Sequence, residues 1–141
     1  MASAPYLVAL TAGFLVQVSK FVTHLIRHRQ VNFTRLVATG GMPSSHSASV
    51  ASLTTSVAFL EGTGSSLFGV TFFFSLVIMY DAAGLRRAAG LQARVLNRIV
   101  ADHYAHRGHI AERLSELVGH TPIEVLVGAA IGVLYALFWY V

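Results

Sequence analysis

The 141-residue sequence has no cysteine, three prolines, one tryptophan, and only ten Lys/Arg and six Asp/Glu residues. The missing cysteine excludes a disulfide framework, a thiolate zinc site and a cysteine nucleophile. Charged residues make up 11% of the chain, against about 25% in a typical soluble domain. Apolar residues make up 55%, and the mean hydropathy is +0.64. So little polar surface cannot coat a water-soluble globule of this size. Residues 1–141 are therefore expected to form one compact all-α membrane domain. The net charge of +4 would suggest a basic face in a nucleic-acid binder. On this apolar background the expected acidic partner is a phospholipid headgroup, and nucleic acid is not an expected partner.

Apolar runs place four crossings. Tyr6 to Ile26 is about 20 residues long, enough for a hydrocarbon core of ~30 Å. It lacks the basic leader and the small-residue cleavage site of a signal peptide, so a retained span is expected. Ser44 to Leu60 is short and rich in Ser, Thr and Ala, as suits a helix packed among helices rather than one facing lipid. Leu67 to Tyr80 is strongly apolar, with helix expected to continue through Arg86–Tyr104. Ile123 to Val141 ends with Trp139 and Tyr140, where interfacial aromatics belong. The bundle is expected to be small, and a homodimer would bury more of its polar surface.

Positive charge orients these spans. Arg27, Arg29 and Arg35 fall between the first two, while Arg86, Arg87, Arg94, Arg98, Arg107 and Arg113 fall between the last two. The turn between the second and third holds only Glu61. The positive-inside rule then puts both basic loops in the cytoplasm and both termini outside.

Four groups of residues carry possible chemistry. Gln17, Lys20, His24 and Arg27 recur at steps of three, four and three, so they share one helical face. Either that face turns toward a polar interior, or Lys20 and Arg27 snorkel to the interface from near the helix end. In Gly40-Gly41-Met42-Pro43-Ser44-Ser45-His46-Ser47, the glycines permit a tight turn. Pro43 suits a first helical turn and Ser44 can cap it. A helix start presents N–H groups to an anion, with His46 beside it. The alternative is a capped helix with an incidental histidine.

In His120-Thr121-Pro122-Ile123-Glu124, histidine and carboxylate are four apart and can meet on one face. A carboxylate that holds one ring nitrogen leaves the other as nucleophile or base. The plain alternative is an acidic residue favoured by the dipole of a helix starting at Pro122. Between Asp81 and Gln92, a helix would align Arg86, Gly90, Ala93 and Asn97 on one stripe and Arg87, Arg94 and Arg98 on another. The second stripe suits lipid phosphates or solvent. Asp81 suits a structural pairing with Arg86 or Lys20. His103, His106 and His109 recur every third residue, which spreads them around a helix; a solvated face is expected there, and no metal site.

Together the GGMPSSHSA, DAAGLRRAAGLQARVLN and GHTPIEVLVG segments resemble the divergent PAP2 family, small membrane proteins related to type-2 phosphatidic acid phosphatases and vanadium haloperoxidases. Lys20-x6-Arg27 is similar to the first PAP2 motif, with His28 where proline is usual. Pro43-Ser44-Ser45-His46 is similar to the second, with Ser45 where glycine is usual. His120-x3-Glu124 is similar to the end of the third, but Arg113 is one residue too far upstream and lacks its serine.

The resemblance implies a minimal PAP2-like helical bundle in a bacterial plasma membrane or a plastid membrane. It implies a metal-independent lipid-phosphate phosphatase with no cofactor, working through a phosphohistidine. Carried over, His120 is the nucleophile, Glu124 its orienting group and His46 the general acid. Lys20, Arg27, Ser44, Ser45, Arg86 and Arg87 bind substrate phosphate, with Arg86 or Arg87 in place of the displaced third-motif arginine. Candidate substrates are phosphatidylglycerophosphate, phosphatidate and isoprenyl phosphates. Two rival readings stand beside this one: a non-catalytic binder of anionic lipid with a degraded site, and a structural membrane subunit.

Overall fold

A computed structural model describes residues 4–29, 31, 41–104, 114 and 119–141, without the side chains of residues 28, 85–87 and 102–104. These residues form helices α1 (Pro5–His28), α2 (Ser45–Glu61), α3 (Ser66–Ala83), α4 (Leu85–Tyr104) and α5 (Pro122–Tyr140), with no strand among them. The expected all-α membrane bundle is what the chain forms.

Among the described residues, three stretches are long and apolar enough to cross a membrane: Pro5–Arg27, Ser66–Ala101 and Pro122–Tyr140. The remaining expected crossing, α2, has 17 residues and extends about 26 Å. It is the hub of the fold, packed against α1, α3 and α5. The composition explains why. Ala48, Ala51, Ser47, Ser52 and Ser56 are all buried on α2, and small side chains let neighbouring backbones approach closely where lipid tails supply no hydrophobic drive.

Glycines on the neighbours complete these contacts. Gly128 and Gly132 on α5 lie directly against the Ser44 and Ala48 carbonyls, and Gly13 on α1 lies against the Ser49 hydroxyl. On α5 the buried residues Val125, Gly128, Gly132 and Ala136 follow helical spacing. Large apolar side chains point the other way: Phe14, Phe73, Leu134 and Phe138 are exposed, as on a surface solvated by lipid.

Hydrogen bonds tie α2 to α3. The Thr54 and Ser75 hydroxyls meet at 2.7 Å, and the Ser75 hydroxyl also donates to the Val50 carbonyl at 3.1 Å. Such interhelical bonds contribute on average about 0.6 kcal/mol each in a membrane. Tyr135 of α5 donates to Thr11 of α1 at 3.0 Å.

The same contacts set direction. Helices α2 and α5 run parallel: Ser44 N–H donates to the Glu124 carbonyl at one end, and Phe59 stacks on Tyr140 near the other. The opposed contacts Tyr135–Thr11 and His120–Ala82 show α1 and α3 running antiparallel to α5. Two helix N-termini, those of α2 and α5, therefore open at the same end of the bundle.

Helix α4 continues from α3 through Gly84, as expected from the sequence. Gly84 N–H donates to the Tyr80 carbonyl and Ala88 N–H to the Gly84 carbonyl, both at 2.9 Å. At φ −106° and ψ −78°, Gly84 departs from regular helical values and marks a bend point between the two segments.

Candidate functional site

The polar end of the bundle is assembled from four helices. Pro43 lies outside α2, not in its first turn as the sequence suggested, because Ser44 is the capping residue and the helix begins at Ser45. Gly41 takes a positive φ of 79°, which brings the chain round to this start. The buried Ser44 hydroxyl accepts from Ser47 N–H at 3.3 Å and from the Ser47 hydroxyl at 3.0 Å. Ser44 N–H is itself used across the bundle, donating to the Glu124 carbonyl at 3.1 Å. The first turn of α2 thus presents N–H groups at a fixed position beside the start of α5. Ser45 is half-buried and His46 exposed there.

At the start of α5, Pro122 occupies the first helical turn and Thr121 is the cap. Glu124 N–H donates to Thr121 Oγ1 at 3.3 Å, and Thr121 N–H donates to Glu124 Oε2 at 2.9 Å. This reciprocal capping box satisfies two N–H groups that a helix start would otherwise leave open. The plain reading of Glu124, an acidic residue at a helix start, is therefore realised. A carboxylate held this way also carries its charge to the polar end.

His120 is 4% exposed. The positive φ of Gly119, 103°, turns the chain inward, and His120 N–H donates to the Ala82 carbonyl at 3.0 Å. The end of α3 therefore fixes the histidine backbone. Asp81 is half-buried one residue before that carbonyl.

Helix α1 contributes the cationic stripe. Gln17, Lys20 and His24 are half-buried while Arg27 is exposed. Gln17, Lys20 and His24 thus lie on the partly covered side of α1, and Arg27 on its exposed side. Lys20 lies close enough to the Glu124 carboxylate for the two charges to interact.

The structure thus brings Lys20, Ser44, Ser45, His46, His120 and Glu124 to one end and turns Arg27 outward. Arg86 and Arg87 lie in the first turn of α4, but their side chains are outside the described residues, as is that of His103. Gly40, Arg35, Arg107, Arg113, His106 and His109 are outside them altogether.

Three supporting contacts escape a search for reactive side chains. The Ala82 carbonyl has no sequence signature. Thr121-x-x-Glu124 has one in its capping-box spacing, and Gly128-x-x-x-Gly132 has one in its small-residue spacing on an apolar helix.

The chain is 41% identical to an uncharacterized membrane protein of Bacillus subtilis (strain 168), YuiD, over 94% of its own length and 91% of that protein's. No solved structure matches it. The three motif segments lie within residues 1–135, which match the model of the divergent PAP2 family, and with that coverage the chain belongs to the divergent PAP2 family.

Proposed function

We propose that the protein is a lipid-phosphate phosphatase that hydrolyses a phosphomonoester or pyrophosphate of a membrane lipid. The observation that carries this reading is the meeting of two helix N-termini, α2 and α5, beside Lys20 and the buried His120. The open start of α2 and an ammonium group neutralise a phosphate dianion, the start of α5 holds Glu124 beside them, and such fixed placement supplies most of the rate in phosphoryl transfer.

In this mechanism His120 attacks phosphorus and the bond from phosphorus to the lipid oxygen breaks. His46, exposed on the first turn of α2, gives its proton to the departing oxygen. Water then attacks the phosphohistidine, releases inorganic phosphate and frees His120. Glu124 stabilises the charged imidazole, while Lys20 and the α2 start hold the phosphate oxygens.

Purified protein in mixed micelles should release inorganic phosphate from at least one of phosphatidylglycerophosphate, phosphatidate or isoprenyl phosphate, with or without chelator. A second reading, a non-catalytic anionic-lipid binder, draws on the engagement of Glu124 with Thr121. Saturable headgroup binding with no turnover across the panel would favour the binder and end the phosphatase reading.

The polar end is proposed to face the cytoplasm with both termini outside, following the arginine distribution. In the cysteine-free chain, Glu61→Cys should react with an impermeant thiol reagent in intact cells and Arg107→Cys only after lysis. The reverse pattern would invert the orientation.

A further inference from the structure

We infer that α4 is an interfacial helix that lies in the headgroup region and gathers anionic lipid beside the polar end. Helix α3 alone has 18 residues, about 27 Å and nearly a full hydrocarbon thickness. The 20 residues of α4 therefore begin where the membrane core ends.

The two sides of α4 differ. Gly90 is buried, and Ala93, Asn97 and Val100 are half-buried. Asn97 is locked in place: its Nδ2 donates to the Leu114 carbonyl at 2.8 Å and its Oδ1 accepts from Leu114 N–H at 2.9 Å. This is the protein side. On the opposite side Leu91, Val95 and Ile99 are 51%, 59% and 58% exposed.

At 100° per residue, Leu91, Val95 and Ile99 form one strip, and Arg94 and Arg98 run along its edge. Both arginines are exposed. An apolar strip bordered by cations matches the acyl–headgroup boundary of an anionic leaflet. Charge complementarity and direct continuity with the apolar α3 select lipid as the occupant of this face. The placement concerns lipid recruitment and stands whether or not the polar end is catalytic.

The test uses the full chain in vesicles of phosphatidylcholine and phosphatidylglycerol. Bimane is attached at Val95→Cys, Ile99→Cys or, on the protein side, Ala93→Cys. Labels at 95 and 99 should be quenched by nitroxide-bearing lipid and shielded from aqueous iodide, and the label at 93 should respond less to the lipid quencher. At equal mole fraction, nitroxide on phosphatidylglycerol should quench the label at 95 more than nitroxide on phosphatidylcholine. In Arg94→Gln/Arg98→Gln that ratio should fall by about twofold or more, as loss of surface cations predicts.

Free iodide access at 95 and 99 would overturn the placement. Cross-linking of Val95→Cys between two copies would overturn it in favour of a self-association face. An unchanged lipid ratio in the double arginine variant would overturn the anionic selectivity.

Discussion

Replacing Gly132 by valine should unfold the bundle or reduce it to a loosely packed state. A Cβ at this position would overlap the Ala48 carbonyl oxygen and lie 2.9 Å from both the carbonyl carbon and the Cα of Ala48. Those atoms are α2 backbone, so relief requires moving one whole helix against the other. Overpacking a tight core costs about 1–3 kcal/mol and occasionally more, and Gly132→Val adds a branched side chain to that first carbon. Gly132→Ala should show the lower part of the range.

The same argument reverses at Gly69 on α3, where an added Cβ meets nothing within 4 Å. There Gly69→Ala should be neutral or stabilising by up to about 1 kcal/mol, through reduced backbone freedom. Denaturation in mild detergent followed by circular dichroism distinguishes the two. Gly132→Val as stable as the natural chain would refute the assigned α2–α5 contact.

Which parts were legible in the sequence follows from where each signal resides. The start of α5 was readable because Pro122 and Glu124 are local helix-start chemistry, although the Thr121 cap just before them was not read. The start of α2 was readable at Ser44 for the same reason, although Pro43 proved to lie just outside it. The 3.6-residue period put Gln17, Lys20, His24 and Arg27 on one face. That Arg27 alone faces outward was not readable. It depends on how far α1 extends past the start of α2, a property of their mutual register.

The α2–α5 register depends in turn on Gly128 and Gly132, whose role exists only relative to a partner backbone. The clasp from Thr54 to Ser75 is similar. Ser and Thr in an apolar run show that some partner is needed but not which one. The hold of Ala82 on His120 passes through main-chain atoms, which any residue possesses. Periodicity and capping thus located the elements, and the contacts that converge them on a site arose from packing.

If His120 is the nucleophile, His120→Ala should eliminate turnover and any acid-labile phosphoenzyme while the protein stays folded. Its backbone bond to Ala82 does not need the imidazole, so the fold can outlast the side chain. The proposed mechanism gives His46 a different task, so its variant should behave differently. A lipid alkoxide leaves poorly unless protonated, and general acid catalysis is typically worth about 10²–10⁴-fold. His46→Ala should lose about that factor with lipid substrates and recover most of it with a phenolic phosphate ester, whose leaving group needs no proton.

Glu124→Gln separates structure from charge. Glutamine also closes a capping box, so the start of α5 should survive, whereas the amide cannot stabilise an imidazolium and turnover should collapse. Loss of fold would instead mean that the carboxylate serves the helix alone. Single-turnover kinetics of the three variants with both leaving groups, together with acid-quench phosphate trapping, resolve these roles. Normal hydrolysis by His120→Ala would remove the nucleophile assignment and leave Lys20 and the start of α2 as headgroup contacts.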